Sequence, residues 1–366
     1  MKIQVGRNEL LTAVQAVIGV VERRQTLPVL SNLLLDAQKD ELVITGTDLE
    51  LELVSRAVIK CQASGKTTVP ARKLFDICRG LPEGAELSLD TSGDKLTLKS
   101  GRSRFTLATL KPDEFPSMGT VSGGKVIRLS KKDLRELLEK TQFAMANQDV
   151  RYYLNGMLLH VTPKRLRAVA TDGHRLAMSE LAKDTKQKEE TQIILPRKAV
   201  IELHRLLEPS DAEVELRLSD TQFQADLDVI RLTSKLIDGR FPDYERVIPE
   251  AGDRKMKANR ERVRAALSRA AILSNEKFRG VRLQLADGKL RLSTHNPEHE
   301  EAEEELDVSY SGAALEIGFN VNYLLDALGV MHSEEFQMEL KGPDASGLLQ
   351  ESANASSKYV VMPMRL

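Results

Sequence analysis

The chain has 366 residues, of which 41% are apolar, and this length suffices for two or three domains that each bury a core. Its 53 basic and 54 acidic residues nearly cancel, so any binding to nucleic acid must come from how the charge is arranged. The presence of only Cys61 and Cys78 excludes a disulfide framework, and no apolar run is long enough to span a membrane. Met1 is followed directly by the strand-like KIQV rather than by an apolar signal segment, which predicts a cytoplasmic protein with no membrane partner.

The chain contains three tandem copies of one pattern. Two positions of the pattern recur at intervals of 124 residues: Asn32, Gly156 and Gly280, and Asp48, Asp172 and Asn296. A repeat of this length is a normal size for a domain. We therefore predict three domains, over residues 1–124, 125–252 and 253–366.

Each copy predicts the same order of elements. A short strand opens it, at residues 2–5, 125–129 and 254–258, and an amphipathic helix follows. The apolar stripes of these helices are Leu10, Ala13, Val14 and Val17; Leu134, Leu137, Leu138 and Thr141; and Val263, Ala266, Leu267 and Ala270. Two alternating strands come next, around the turns DAQKDE, TPKR and ADGK.

A second helix follows in each copy. Two of these helices have a proline in the first turn, Pro70 and Pro196, and the third has Asn320 there. Further strands end each copy, so the predicted fold class is α+β with antiparallel sheets.

The second helices carry a charged face. Basic, acidic and basic residues stand at i, i+4 and i+7 in two copies, as Arg72, Asp76 and Arg79 and as Lys198, Glu202 and Arg205. Helix-supporting ion pairs are the alternative interpretation. A basic face that recurs across domains favours a shared polyanion, although the third copy has Asn322 and Gly329 at the basic positions.

The segment 151–176 begins with the densest aromatic and basic cluster of the chain. Gln148, Arg151, Tyr152 and Tyr153, together with Arg23 and Arg24, are candidates to bind phosphate without reading base sequence. The alternative is that one or both tyrosines are core residues at the start of a strand; Tyr153 is the stronger candidate of the two, since adjacent strand residues face opposite ways.

Opposite charges stand near the two ends of the chain. Residues 101–110, GRSRFTLATL, predict a basic strand, and residues 298–305, EHEEAEEE, are strongly acidic. A solvated acidic face is the usual explanation of such a run. Complementary ends also suit a head-to-tail contact between two copies, which closes a ring when the rotation permits. Its apolar centre is expected from Phe105 and Leu107 against Ile272 and Leu273.

Catalysis is the weaker interpretation of the group formed by Asp172, His174 and Arg175. No nucleophile stands in a recognisable turn motif, and phosphate-loop, dinucleotide and zinc-protease motifs are absent from the sequence. Because Asp48 and Asn296 take the place of Asp172 in the other copies, the position is better explained by an aspartate that bonds nearby backbone N–H groups.

The last residues, VVMPMRL, predict either a final core strand or part of a peptide-binding surface. The rest of such a groove is expected from the middle copy, at Leu154, Thr171, Gly173, His174, Leu176, Pro242 and Val247. An extended peptide with apolar anchors would dock there.

Long segments throughout the chain resemble the bacterial DNA polymerase III beta subunits, the replicative sliding clamps. They include TLPVLSNLLL, GTDLELELV, VPARKLFDICRGLPEGAEL, SGRSRFTLATL, QDVRYYLNGML, ATDGHRLA, LPRKAVIEL, TSKLIDGRFPDY, RAAILSNEKFRGVRL, NPEHEEAEE and YVVMPMRL. The resemblance implies a homodimeric ring around double-stranded DNA, with helices lining the hole and antiparallel sheets outside. It implies a processivity factor that is not an enzyme and needs no cofactor. The polymerase III alpha subunit, the clamp-loader delta subunit and repair proteins would bind a cleft between the middle and third domains through short peptides.

The family's functional positions carry over onto three sets of residues. The DNA-binding set is Arg24, Arg72, Arg79, Gln148, Arg151, Tyr152, Tyr153, Lys198 and Arg205. The peptide-cleft set is Leu154, Thr171, Gly173, His174, Arg175, Leu176, Pro242, Arg246, Val247, Ser346, Val360, Met362, Pro363, Met364 and Arg365. The dimer-interface set is Lys73, Arg102, Arg104, Phe105, Leu107, Ile272, Leu273, Glu298, Glu301 and Glu304.

The segment 341–357 departs most from the family pattern. Asp344 stands where an apolar residue is expected to wall the cleft beside Ser346. Two other functions remain as alternatives: a monomeric peptide-binding adaptor that does not bind DNA, and a hydrolase built on Asp172 and His174.

Overall fold

The structure, a computed structural model, describes residues 1–22, 27–250, 252–351 and 354–365. The first repeat consists of β1 (Lys2–Gly6), α1 (Arg7–Val17), β2 (Asn32–Gln38), β3 (Glu41–Thr47), β4 (Leu51–Val58), β5 (Lys60–Ala63), β6 (Gly65–Pro70), α2 (Ala71–Gly80), β7 (Glu86–Ser92), β8 (Lys95–Ser100) and β9 (Ser103–Ala108). The second consists of β10 (Lys125–Ser130), α3 (Lys131–Glu139), β11 (Gly156–Thr162), β12 (Arg165–Thr171), β13 (Arg175–Ala182), β14 (Thr191–Pro196), α4 (Arg197–Leu206), β15 (Glu213–Leu218), β16 (Gln222–Asp226) and β17 (Ile230–Lys235).

The third repeat follows the same order. It consists of β18 (Arg254–Asn259), α5 (Arg260–Ala270), β19 (Gly280–Ala286), β20 (Lys289–His295), β21 (Glu301–Asp307), β22 (Ser309–Ser311), β23 (Leu315–Asn320), α6 (Val321–Gly329), β24 (Glu335–Leu340), β25 (Gly347–Glu351) and β26 (Asn354–Val361). The predicted α+β class with antiparallel sheets is confirmed.

The chain divides into two compact units, Met1–Lys132 with Ile201–Leu236, and Asp133–Val200 with Ile237–Leu366. The first unit contains a five-stranded sheet, β5-β1-β7-β8-β9, and an eight-stranded sheet, β10-β15-β16-β17-β4-β3-β2-β6. The second unit contains a nine-stranded sheet, β14-β11-β12-β13-β26-β25-β24-β18-β22, and a four-stranded sheet, β21-β20-β19-β23.

The two large sheets each join strands of two repeats. In the first unit β17 pairs with β4, and Leu232 lies opposite Leu53. In the second unit β13 pairs with β26, and Ala177 lies opposite Tyr359. Each junction satisfies backbone N–H and C=O groups that would otherwise stand at an open sheet edge. The same kind of joint therefore links repeat one to repeat two and repeat two to repeat three.

The helices bury the stripes that the sequence periodicity predicts. All twelve predicted stripe positions are buried, among them Leu10 and Val14 of α1, Leu134 and Leu138 of α3, and Leu267 of α5. In the first unit α1 packs against β3, β4 and α2; in the second unit α5 packs against β20, β21 and α6. Burial of one apolar stripe per helix on a sheet is the main stabilising term of such layers.

The prediction that proline stands in the first turn of the second helices is wrong by one residue. Pro70 and Pro196 are the last residues of β6 and β14, opposite Asn32 and Gly156, and each helix begins at the next residue. Pro70 has φ −57° and ψ 113°, an extended conformation that keeps it outside α2. Both strands are sheet edges, where a residue without an N–H donor is tolerated.

Candidate functional site

A pocket of about 210 Å³ lies in the second unit. Its wall is mostly apolar and aromatic, and the lining residues are Arg151, Tyr153, Leu154, Thr171, Gly173, Arg175, Leu176, Phe241, Pro242, Tyr244, Val247, Val360 and Met362. A concave apolar surface with a few polar groups suits the apolar anchors of an extended peptide.

Four stretches of chain build this pocket, one of them the segment of Arg151, Tyr153 and Leu154 before β11. The hairpin of β12 and β13 brings Thr171 opposite Leu176, and β26 brings Val360 opposite Leu176 from the other side. The connection that follows the second repeat adds the wall from Phe241 to the short 3₁₀ helix Tyr244–Arg246. The pocket therefore lies where strands of the second and third repeats meet.

A tight turn shapes the floor between β12 and β13. Asp172 Oδ1 accepts hydrogen bonds from the backbone N–H groups of His174 (2.9 Å) and Arg175 (3.0 Å). Asp48 accepts the N–H groups of Glu50 and Leu51 in the same way, and Asn296 Oδ1 accepts the N–H of Glu300 in the longer turn of the third repeat. The predicted turn role of this position is confirmed, and the Asp172 carboxylate is occupied by its own turn rather than held for a catalytic base.

Gly173 lets the Arg151 side chain, at the rim of the pocket, lie directly against this turn. Its φ of 88° lies in the left-handed region, and a Cβ there would come within 2.8 Å of the Arg151 guanidinium. Arg151 is fixed over the glycine because its Nη2 donates to Asp149 Oδ2 (2.8 Å) and to the Asp172 carbonyl (3.1 Å). The hydrogen bonds from Arg151 also lower the pKa of the Asp149 carboxyl to about 2, so this rim keeps its ion pair in mild acid.

Arg175 connects the pocket to α6 through contacts with Asp326 and Tyr323. Its side chain is 13% exposed, pairs with Asp172 and Asp326, and donates to the Phe143 carbonyl at 2.7 Å. The guanidinium also lies 4.5 Å from the centroid of the Tyr323 ring. Arg175 was predicted to contact a peptide; the structure shows it mostly buried, joining β13 to α6.

A polar network supports the Tyr244 wall from behind. The Tyr244 hydroxyl lies 2.7 Å from His160 Nδ1 and accepts a hydrogen bond from Arg167 Nη1 at 2.9 Å. Arg167 also pairs with Glu245 at 2.7 Å. Burial raises the pKa of Tyr244 against the lowering effect of Arg167, so the hydroxyl stays neutral at physiological pH.

The pocket brings together nine of the fifteen predicted cleft residues: Leu154, Thr171, Gly173, Arg175, Leu176, Pro242, Val247, Val360 and Met362. Six others, His174, Arg246, Ser346, Pro363, Met364 and Arg365, do not line it. Met364 and Arg365 line a separate pocket described below. The exposed Asp344 lies in the turn before β25.

Four lining residues were not predicted for the cleft. Arg151 and Tyr153 were predicted to bind DNA, and the structure brings both to the pocket. Tyr153 lies in a 3₁₀ helix, Tyr152–Leu154, not in a strand, and Tyr152 is 58% exposed. Phe241 and Tyr244 were missed, although the FP pair at Phe241 has a counterpart in the first repeat that marks a shared packing position.

The other predicted DNA-binding residues that the structure describes lie on helices or loops. Arg24 lies outside the described residues. Arg79 is exposed and lies 3.7 Å from Asp76, while Arg72 donates to the Val21 carbonyl at 3.2 Å. Lys198 lies in α4, and Gln148 precedes the 3₁₀ helix with φ 57°.

Arg205 is held by the end of α1. Its Nη2 donates to the Ala16 carbonyl at 2.7 Å and its Nη1 to the Gln15 carbonyl at 3.2 Å. It also pairs with Glu202 at 2.7 Å. A cation at these carbonyls satisfies acceptors that the helix leaves without partners and complements its dipole.

The basic strand is a sheet edge. β9 ends the five-stranded sheet, with Arg104 exposed and Phe105 half-buried. Arg102 is exposed in the turn before β9, and Lys73 is exposed on α2. Leu107 is 7% exposed, because it faces the core of its own sheet, on the same face of β9 as the half-buried Phe105.

The acidic strand is also a sheet edge. β21 ends the four-stranded sheet, and Glu301 on it is exposed, as is Glu298 before it. Glu304 is hydrogen-bonded to Arg269 of α5 at 2.6 Å, which lowers the pKa of that carboxyl. On the 3₁₀ helix Ala271–Leu273, Ile272 is 75% exposed, an unusual exposure for an isoleucine.

In the part of the chain that the structure describes, no helix is long and apolar enough to cross a membrane.

Known proteins resemble this chain along its whole length. Residues 1–119, 128–243 and 245–365 match the N-terminal, central and C-terminal domains of the DNA polymerase III beta subunit family. The beta sliding clamps of Pseudomonas putida and Escherichia coli K12 are 53% and 48% identical, with 100% of each chain covered. A Pseudomonas aeruginosa sliding clamp solved with bound griselimycin has a TM-score of 0.97 at 51% identity, and Caulobacter crescentus pol III beta has 0.94 at 38%, again over 100% of each chain.

Proposed function

Because the chain belongs to the DNA polymerase III beta subunit family, the sliding clamps that make this polymerase processive, we propose that it acts as a homodimeric ring closed around duplex DNA. Family membership makes the chain a non-catalytic polymerase subunit with three clamp domains, and gives it a polymerase and DNA as partners. We set the domain boundaries at residues 1–124, 125–252 and 253–366. What we propose beyond family membership is the closed ring, the joint between its two subunits, and the residues that contact DNA and partner peptides.

The unpaired sheet edges carry this proposal. Strands β4, β13 and β21 hold one place in the three repeats, and β17, β26 and β9 hold another. The joints inside the chain pair β4 with β17 and β13 with β26. By the same rule β21 would pair with β9, and each is the terminal strand of its own sheet. Two chains would supply both missing joints, and a head-to-tail contact of this kind closes a ring when the rotation per subunit permits.

Charge and apolar surface both support this joint. Arg102 and Arg104 at the β9 edge complement the carboxylates of β21, and opposite charges across an interface fix its register. Phe105 and the exposed Ile272 give the contact an apolar centre. The remaining joint residues are Lys73, Leu273, Glu298, Glu301 and Glu304.

Enclosure explains how a chain of net charge −1 holds DNA. A closed ring needs no tight contact, so basic side chains such as Arg79 and Lys198 bind phosphates weakly enough to slide. The other proposed contacts are Arg24, Arg72, Gln148, Arg151, Tyr152, Tyr153 and Arg205. Holding the polymerase beside its primer raises its effective concentration, which is the source of processivity.

The pocket between β13, β26 and the Tyr244 wall is the proposed docking cleft. We propose that the polymerase III alpha subunit, the clamp-loader delta subunit and other proteins with a clamp-binding motif insert apolar peptide side chains there. The cleft residues are those that line the pocket, joined at its rim by His174, Arg246, Ser346, Pro363, Met364 and Arg365.

Sedimentation equilibrium tests the ring directly. The proposal predicts twice the 40.8 kDa mass of one chain at low micromolar concentration. A single-chain mass that persists as the concentration rises would contradict it and favour a monomeric adaptor.

A further inference from the structure

A second pocket, of about 620 Å³, opens on one face of the four-stranded sheet in the second unit. In this sheet Arg282 lies opposite Ser293 and His295 lies opposite Glu301, and all four residues line the pocket. Phe278 lines it from the loop before β19. The pocket combines an aromatic side chain with charged and hydroxyl groups.

This pocket takes the place in the third repeat that the cleft takes in the second. Phe278, His295 and Pro297 stand 124 residues after the cleft residues Leu154, Thr171 and Gly173. The hairpins pair alike, with one extra residue in the third-repeat turn: His295 lies opposite Glu301 as Thr171 lies opposite Leu176.

Backbone hydrogen bonds outside the hairpins repeat as well. Arg197 N donates to the Asn155 carbonyl (3.0 Å), and Val321 N donates to the Arg279 carbonyl (2.7 Å). Each of these donors and acceptors is shifted by 124 residues between the repeats. The two pockets are therefore built on the same backbone frame.

In the first two repeats, a Phe-Pro pair of the chain itself lies beside the residue that corresponds to Phe278. Leu30, the first-repeat counterpart of Phe278, is 1% exposed and packs with Phe115. Leu154 is 2% exposed and shares its pocket wall with Phe241. Each phenylalanine is followed by a proline. Phe278 is 54% exposed, and no Phe-Pro pair lines its pocket among the residues that the structure describes.

Phe278 is nevertheless held in one position. Asn275 Oδ1 accepts from the backbone N–H groups of Lys277 (2.9 Å) and Phe278 (3.0 Å), and Asn320 Nδ2 donates to the Phe278 carbonyl (3.3 Å). An exposed aromatic residue on a fixed backbone is preorganised for a partner, because little ordering remains to oppose binding.

We propose that this pocket docks an extended segment of another protein in which a basic residue precedes a Phe-Pro pair. We choose a Phe-Pro pair because the chain's own Phe-Pro pairs contribute to this place in the first two repeats. One of them, at Phe241, is preceded by the basic residue Arg240. The basic residue follows from charge: Glu303 stands where the cleft repeat has Met178, Glu301 lines the same pocket, and of the two lining arginines Arg282 is paired with Glu316 at 2.9 Å. The two pockets thus select different peptides, and the second borders the acidic edge strand.

The probe is a synthetic peptide, IDGRFPDYERV, which copies residues 237–247 of this chain. Saturation-transfer NMR on the full-length protein with millimolar peptide is expected to saturate the phenylalanine ring and the proline protons. The Phe278→Ser variant should lose this transfer, and Phe278→Tyr should keep it. A peptide with alanine in place of its phenylalanine should show none, and Phe278→Ser must keep the solution mass of the unaltered protein.

Two matched variants separate this pocket from the cleft and from general surface effects. Val150→Ser removes an apolar side chain that is 96% exposed elsewhere and should leave the transfer intact. Met362→Ser alters the cleft and should also leave it intact, so the result does not depend on the proposed cleft function. Absence of transfer to the unaltered protein, equal transfer in Phe278→Ser, or loss in Met362→Ser would overturn the proposal.

Discussion

Leu176 lies opposite Val360 across the junction of β13 and β26, and both side chains line the cleft. One strand belongs to the second repeat and the other to the third, so the pocket exists only while the two repeats remain joined. Whatever holds this junction together therefore also holds the proposed docking surface.

Removing the exposed cleft methionine should weaken peptide binding without disturbing the fold. Met362 is 41% exposed, so Met362→Ser removes contact surface for a ligand and little core packing. Loss of one apolar anchor corresponds to about 1–2 kcal/mol, or roughly tenfold in Kd for a polymerase-derived clamp-binding peptide. Fluorescence polarisation measures this change. Val58→Ser, at a residue 79% exposed in β4, is the control, and equal affinity in all three proteins would remove Met362 from the cleft.

A buried ion pair should be a weak point of the same junction. Lys140 is 3% exposed and lies 2.7 Å from Glu136 and 3.7 Å from Glu351. Lys140→Ala leaves the buried Glu351 without its cation and should lower the free energy of unfolding by about 3 kcal/mol. Urea unfolding at fixed protein concentration measures this. The Lys140→Met, Glu351→Gln double variant removes both charges but keeps an acceptor for the N–H groups of His332 and Ser333, and it should recover most of the loss; no recovery would mean that the cost comes from packing alone.

The same pair gives a pH dependence of known sign. Burial raises the pKa of Glu351, but hydrogen bonds from the N–H groups of His332 and Ser333 and the charge of Lys140 outweigh it, and the pKa is lowered. A carboxyl with a lowered pKa stabilises the fold above its unfolded pKa, and this contribution is lost as the pH falls through the folded value. The unaltered protein should be more stable than Glu351→Gln by a constant amount above about pH 5. This difference in unfolding free energy should shrink as the pH falls below that value. A difference that grows on acidification would contradict the assignment.

Two arginines of the proposed DNA-binding set should behave differently when removed. Arg205→Ala leaves the carbonyls of Gln15 and Ala16 without a donor and should cost about 1 kcal/mol of stability, given that the side chain is 38% exposed. Arg79→Ala removes a side chain that is 69% exposed and should change stability by less than about 0.5 kcal/mol.

The role of Arg79 is read from the salt dependence of DNA binding. The logarithm of the binding constant falls linearly with the logarithm of the salt concentration. If Arg79 neutralises one phosphate, Arg79→Ala makes this slope less steep by about 0.9. Arg79→Lys keeps the charge and should keep the slope. An unchanged slope in the alanine variant would exclude this contact.

Local chemistry could be predicted from the sequence, and long-range packing could not. The turn at Asp172 and the stripe of α1 depend on neighbours a few residues away, and both were predicted correctly. Pro242 and Val247 of the connecting segment were predicted for the cleft, but Phe241 and Tyr244 lie far in sequence from the hairpin that they cover, and the local pattern does not indicate that their rings complete the wall. Their contribution follows from tertiary packing alone.

Two features of the predicted sets could not be seen without the backbone. Arg151 and Tyr153 belong to a basic and aromatic cluster that indicates nucleic-acid binding, but the 3₁₀ turn there brings both side chains to the cleft. Leu107 belongs to the basic edge strand, but the alternation of the strand directs it into the core. Composition is enough to identify such segments, but the direction of each side chain can be determined only from the backbone conformation.

Charge reversal at the proposed joint should separate the subunits. Arg104→Glu puts like charge against the carboxylates of β21 and should shift sedimentation velocity towards a single chain at low micromolar concentration. Combining it with Glu301→Arg should restore part of the dimer. Lys60→Glu makes the same change on β5, the other edge of the same sheet, and should leave the mass unchanged. Equal effects of the β5 and β9 variants would remove β9 from the joint.

Retention on circular DNA tests enclosure most directly. Protein loaded onto a nicked circle by a clamp loader is separated from free protein by gel filtration, before and after one restriction enzyme linearises the circle. The ring account predicts that the protein stays on the circle and is lost once the DNA has ends, because a ring that encloses duplex can then slide off. Loss at equal rates from circular and linear DNA would contradict it.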